Sequence, residues 1–165
     1  MKDLYTTNEW VALKDRVRKR KQTGDKLVFT NGCFDVLHPG HKALLAFIRE
    51  QGGMCVLGLN SDSSIRKLKG PDRPVNSEAV RAKNLLTTGY VDVVVIYNEV
   101  TPRKIIDILE PDVLIKGGDY SLETIVGAVE VSARGGKVLV FPRVPGYSTT
   151  GILETEIKNS ETNKE

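Results

Sequence analysis

The sequence predicts an α/β fold, a single domain built on a doubly wound parallel sheet of five strands. Three observations carry this expectation. Short apolar runs alternate along the chain with segments of helical periodicity. The runs are apolar throughout rather than at every second position, as expected of strands covered on both faces. No internal repeat and no stretch rich in Pro, Gly and Ser divides the 165 residues, a length sufficient for one continuous core.

Thr6 and Glu9 have capping-box spacing and predict a helix over 7–22, with Trp10, Leu13 and Val17 as its apolar stripe and Gly24 as its end. Residues 1–24 thus form an N-terminal helix ahead of the main domain, 25–158. "KLVFTN" (26–31) is the first strand, closed by Asn31-Gly32. Pro39 suits the first position of a second helix, where Leu44, Phe47 and Ile48 recur at helical spacing until Gly52-Gly53. "MCVLGLN" (54–60) is a buried strand. "SDSSIRKLKGPDRPV" starts as a short helix and becomes a Gly/Pro loop, followed by a helix over 77–88 and a strand over 91–96. Thr101 as N-cap with Pro102 at N1 opens a helix that ends before Pro111. "DVLIKGG" is the fourth strand, 122–134 a helix, and "KVLVFP" the fifth strand. "GYSTTGILETEI" opens a last helix, and 159–165 is a polar tail.

Composition excludes several classes. With 40% hydrophobic and 27% charged residues the chain reads as an ordinary globular protein rather than a disordered or membrane-spanning one. A net charge of +3 gives no reason to expect a nucleic-acid partner. The one basic run, "KDRVRKRKQ", reads as a solvated helix face or a nucleic-acid patch. Two cysteines make neither a disulfide framework nor a zinc site. "MKDLYTTNEW" lacks the apolar core of a signal peptide, so a cytoplasmic location is expected.

In an open parallel sheet, ligands bind beyond the carboxyl ends of strands where strand order reverses. The polar segments fall at those ends: "TNGCFD…HPGH", "NSD", "KGGDY" and "RVPGYSTT" follow the first, second, fourth and fifth strands, while "YNEV" after the third carries little chemistry. Neither a P-loop nor a GxGxxG follows any strand, and "GYSTTG" lacks the spacing of a nucleophile elbow.

Both histidines of the chain lie in "HPGH". His38 precedes the helix, His41 falls in its first turn, and Gly40 between them leaves room for a ligand. A helix N-terminus offers free N–H groups and partial positive charge, which suit phosphate. The pair could instead be an N-cap and the edge of an apolar stripe, and as metal ligands they lack an evident third partner. Ser148, Thr149 and Thr150 form a second candidate anion site at a helix start, or merely a cap. Lys69, Arg73 and Arg81 flank the Gly/Pro loop as cations able to close over a triphosphate, or as surface charge. Asp35 and Asp62 shape the metal and cation environment, or cap turns. Gly117 and Gly118 offer backbone to a flat base, or supply positive φ. These groups include many phosphate donors and no activated nucleophile, which suits direct phosphoryl or nucleotidyl transfer.

"HPGH" resembles the HxGH signature of the cytidylyltransferase-like nucleotidyltransferases, and "STT" resembles their second signature. The resemblance implies a Rossmann-like fold and attack of a substrate phosphate on the α-phosphate of a nucleoside triphosphate, with Mg2+ bound mainly through the triphosphate. The fuller string "VFTNGCFDVLHPGH…NSD…LKGPDRPVN…R…KGGDY…STT" is most similar to the members that make ADP-heptose from ATP and D-glycero-β-D-manno-heptose 1-phosphate. It runs from about Lys26 to Ile157.

Carried over, His38 and His41 bind the triphosphate and stabilise the α-phosphorus, and Lys69 neutralises its charge. Thr30, Asn31, Gly32, Phe34, Asp35 and Gly40 form the nucleotide loop. Arg81 and Ser148 to Thr150 hold the phosphates, and Lys116, Gly117, Gly118 and Asp119 approach the base. Asn60, Asp62 and Arg73 fall to the sugar phosphate. The resemblance also implies a homodimer; many relatives fuse this domain to a sugar kinase, and because the 165 residues leave no room for one, a separate upstream heptose kinase is expected. Glycerol-3-phosphate cytidylyltransferases carry a tryptophan near Tyr120, whereas the only tryptophan here is Trp10. FAD synthetases of the same superfamily and a non-catalytic nucleotide sensor are the other readings.

Overall fold

The computed structural model describes residues 2–118 and 120–143. Its centre is a sheet of six strands: β1 (Leu4–Tyr5), β2 (Leu27–Gly32), β3 (Met54–Asn60), β4 (Val93–Tyr97), β5 (Val113–Gly117) and β6 (Lys137–Phe141). Their order is β1-β4-β3-β2-β5-β6, and every neighbouring pair is parallel. The helices are α1 (Trp10–Gln22), α2 (Pro39–Glu50), α3 (Asp62–Lys69), α4 (Glu78–Thr87), α5 (Arg103–Leu109) and α6 (Ala128–Ala133).

Alternation along each strand explains why the runs are apolar throughout. Phe29, Val56 and Leu114 face α1 and α5, packing with Trp10, Leu13, Val17, Ile105 and Ile106. Their neighbours Val28, Leu57 and Ile115 face α2 and α4, packing with Leu44, Leu45, Ile48, Ala82 and Leu85. Each fully buried large aliphatic side chain contributes about 1.5–3 kcal/mol, so both faces are needed to hold the sheet.

Four expectations are corrected. The sheet has six strands, not five, because β1 pairs with β4 through Leu4↔Val94 and Tyr5↔Val95. Two residues have no period, and what fixes this strand is tertiary: the Val94 N–H donates to the Asp3 carbonyl, and Trp10 Nε1 donates to the Ile96 carbonyl. The first turn of the expected helix over 7–22 is a 3-10 turn, Thr7–Glu9, entered through a Thr6/Glu9 capping box. α5 is capped at Pro102 rather than Thr101. The expected helix over 122–134 is broken into a 3-10 turn, Leu122–Thr124, and α6. Gly127 causes the break: its φ is +85°, and a Cβ there would meet Ile106 Cγ2 at 2.8 Å.

The topology positions the site. The chain winds from β2 through β3 to β4 on one side, then α5 carries it across to β5 on the other side of β2. Strand order therefore reverses between β2 and β5, and the crevice at their carboxyl ends is where such sheets bind ligands. No described helix is long and apolar enough to cross a membrane.

Candidate nucleotidyl-transfer site

A cavity of about 630 Å³ occupies that crevice. His38, Gly40 and His41 bring the start of α2 to its wall. His38 is the N-cap of α2, in extended conformation, and its Nδ1 accepts a hydrogen bond from the His41 N–H at 3.2 Å. With Nδ1 used as an acceptor, the neutral His38 ring carries its proton on Nε2. Pro39 has no N–H, the His41 N–H is capped, and the Lys42 N–H bonds the His38 carbonyl. Gly40 is the first-turn residue whose N–H has no partner among the described residues.

The two imidazoles stack with centroids 3.7 Å apart and planes 18° from parallel. Burial depresses the basicity of both. It takes His41 down to about 4, helped by the proximity of His38, opposed by the Val36 carbonyl and helped again, least, by Lys69. Without a ligand the pair is therefore neutral near pH 7. An anion on these rings would favour their protonation, so hydrogen-bond donation strengthens as negative charge accumulates.

The loop before α2 sets this geometry. Phe34 has φ +45°, and its ring lies 5.1 Å from that of His41. Gly32 accommodates the same ring, since a Cβ there would stand 2.8 Å from Phe34 Cε2. Asp35 anchors the loop. Its carboxylate accepts from the Val75 and Asn76 N–H groups, both at 2.9 Å, and from Arg73 Nε at 3.1 Å. Burial opposes its ionisation, but the Asn76 and Val75 amides and Arg73 outweigh that and hold its pKa below the usual range.

Arg81 is fully buried and pins three segments at once. It donates to the carbonyls of Cys33 (2.9 Å), Asn60 (2.8 Å) and Asn76 (3.0 Å), and to Asp62 at 2.7 Å. Asp35, Asp62, Arg73 and Arg81 are committed to one another or to backbone and do not line the cavity. Arg73 and Arg81, expected over the triphosphate, hold loops in this structure. Thr30 is also buried beneath the cavity rather than lining it.

Asn31, Gly32, Phe34, Asn60, Lys69, Lys116, Gly117 and Gly118 do line it, together with the two histidines and Gly40. Asp119, Ser148, Thr149 and Thr150 lie outside the described residues. Lys69 and Lys116 form no ion pair among the described residues, and burial lowers the Lys116 pKa. No carboxylate is among the described lining residues, whereas Lys69, Lys116 and Arg143 are. A polyanion is the ligand such a wall accepts. Among the described residues no group of His, Cys, Asp and Glu could hold a metal ion.

Sequence reasoning missed Tyr97 and the rim formed by Val100, Thr101 and Pro102. By sequence alone the end of β4 carries little chemistry, yet the Tyr97 hydroxyl donates to Asn60 Oδ1 at 2.8 Å and accepts from Asn31 Nδ2 at 3.2 Å. The available signal was register: Tyr97 pairs with Asn60 across β3 and β4.

Comparison with known proteins agrees with this geometry. Residues 29–155 match the family described as Cytidylyltransferase-like, and the chain belongs to that family of nucleotidyltransferases. It is 47% identical over 142 residues to the bifunctional protein HldE of Marinomonas sp., covering 86% of this chain and 30% of that protein. It is 50% identical over 143 residues to the bifunctional protein HldE of Syntrophotalea carbinolica, covering 87% of this chain and 29% of that one. The chain thus spans under a third of the length of these curated relatives. The lipopolysaccharide core biosynthesis protein of Thermoplasma volcanium GSS1 shares the fold, with a TM-score of 0.59 and 23% identity over 73% of this chain and 98% of its own.

Proposed function

We propose that the chain transfers the adenylyl group of ATP to D-glycero-β-D-manno-heptose 1-phosphate, giving ADP-heptose and pyrophosphate. The observation that carries this reading is the composition of the cavity wall: two stacked histidines at a helix start, three cationic side chains and no described carboxylate. The acceptor phosphate is already a competent nucleophile, so no general base is required. One of its oxygens forms a bond to the α-phosphorus of ATP while the bond to the bridging oxygen of the β-phosphate breaks, and that oxygen leaves with pyrophosphate. Bringing two polyanions together is the difficulty. His38 through Nε2–H, the Gly40 N–H, His41 and Lys69 offset that repulsion, and charge stabilisation of this kind supplies most of the catalysis.

Mg2+ enters this reading only as a companion of the triphosphate, supplying further charge neutralisation there. Phosphorylation of the sugar at C1 calls for a kinase activity outside these 165 residues. The test is a pyrophosphate-release panel of ATP and CTP against heptose 1-phosphate, heptose 7-phosphate, glycerol 3-phosphate and flavin mononucleotide. Release with ATP and heptose 1-phosphate alone is expected. Equal release with heptose 7-phosphate, or preference for CTP with glycerol 3-phosphate, contradicts the proposal.

A further inference from the structure

Four polar residues end adjacent strands on a single face of the sheet. In strand order they are Tyr97 (β4), Asn60 (β3), Asn31 (β2) and Lys116 (β5), each at an even spacing from a residue of the α1/α5-side core. All four line the cavity. The histidines arrive from the other side, on α2, whose Leu44 and Leu45 pack in the opposite core. The cavity therefore has two walls of different chemistry.

The hydrogen bonds of the strand-end row have a determined direction. The Glu99 carbonyl can only accept, so the Ser64 hydroxyl donates to it at 2.8 Å. Ser64 Oγ must then accept from Asn60, whose Nδ2 stands 3.0 Å away. Asn60 is thereby oriented with Oδ1 toward Tyr97, which donates its one hydroxyl proton there at 2.8 Å. Tyr97 can now only accept, so Asn31 turns its Nδ2 to it at 3.2 Å. The relay fixes the Asn31 amide and leaves its Oδ1, an acceptor, as the end without a protein partner among the described residues. Beside it stands Lys116, whose Nζ is 3.5 Å from the Asn31 carbonyl and 5.2 Å from the Tyr120 ring centroid.

An acceptor oxygen next to an uncompensated ammonium matches a ligand that offers a hydroxyl proton next to an anionic group. Two phosphates would not satisfy it, because Asn31 Oδ1 repels a second anion. We propose that Asn31 and Lys116 form the acceptor subsite, Asn31 Oδ1 taking the hydroxyl next to the phosphorylated carbon of a sugar 1-phosphate and Lys116 its phosphate. Tyr97, Asn60 and Ser64 are the positioning residues that orient Asn31. This rests on the adenylyl-transfer reading and assigns Asn31 and Lys116 to the sugar phosphate instead of the nucleotide.

The test uses the purified full chain and the variants Tyr97→Phe, Asn31→Ala and Lys116→Gln, with ATP and heptose 1-phosphate varied separately. Tyr97→Phe keeps the ring and removes the relay, and should raise KM for the sugar phosphate about tenfold with the KM for ATP nearly unchanged. Lys116→Gln should act in the same direction and more strongly, on the order of a hundredfold, because a charged partner is lost. The 2-deoxy analogue should be a poor substrate for the parent protein, and Asn31→Ala should abolish the discrimination. An equal rise in KM for ATP, or a parent protein indifferent to the 2-hydroxyl, overturns the subsite. Calorimetric titration of heptose 1-phosphate separates the two claims. Binding without turnover that weakens in Tyr97→Phe and Lys116→Gln sinks the transfer reading and keeps the subsite, whereas no binding to the parent protein overturns the subsite as well.

Discussion

At the scale of single residues, His41 concentrates the argument. Its ring is stacked on His38 and packed against Phe34, and burial holds it neutral. Replacing His41 with alanine should lower kcat on the order of 10²–10³-fold with a much smaller change in KM, as for loss of one charge-stabilising donor. The same burial predicts a pH dependence of stability. The unfolded chain takes up a proton on His41 near pH 6.5, the folded chain only at about 4. Between those values the unfolded state binds more protons, so stability falls as pH drops. This residue should make the protein about 2 kcal/mol less stable at pH 5 than at pH 7. Urea denaturation at both pH values should show His41→Asn losing that increment. Arg81 illustrates what sequence could not reveal. An arginine beside a Gly/Pro loop reads the same whether it faces phosphate or carbonyls, and only burial decides. Truncating Arg81 to methionine leaves three carbonyls and Asp62 without their donor and should cost about 3 kcal/mol by denaturant titration.

At the scale of elements, close approach at strand ends governs the site. A Cβ on Gly117 would lie 2.8 Å from Leu44 Cδ2, so the end of β5 touches the helix that carries the histidines. Gly117→Ala should therefore lower stability by about 1–3 kcal/mol and reduce turnover, because the Leu44 side chain, packed in the core beneath the histidines, must shift to make room. Parallel measurement of thermal midpoint and kcat checks this. The elements that sequence made legible are those whose signal is local. β2 to β6 are apolar runs, and α2 is announced by Pro39 after its cap and by Gly52-Gly53 at its end, with φ of +73° and +80°. The illegible ones depend on distant contacts. β1 exists because β4 lies beside it, and the helix expected over 122–134 breaks because Gly127 is pressed against α5. The Tyr97–Asn60–Asn31 relay joins three strands, so no window of sequence contains it.

For the whole molecule, the doubly wound order places a helix N-terminus and five strand ends around one cavity, at the point where winding reverses. The fold class and the histidine site could be read because strand, loop and helix start are consecutive in "VFTNGCFDVLHPGH". The cationic wall, with no carboxylate among the described lining residues, could not, because Lys69, Lys116 and Arg143 are far apart in sequence. A surface of that sign should bind pyrophosphate as a competitor of ATP, with affinity falling as salt is added. The central claim is that the triphosphate rests on the start of α2. A crystal structure of the protein with a non-hydrolysable ATP analogue tests it most directly. The account predicts phosphate oxygens within roughly 2.7–3.2 Å of His38 Nε2 and the Gly40 nitrogen. A triphosphate lying away from both rings and from the α2 N-terminus would contradict it.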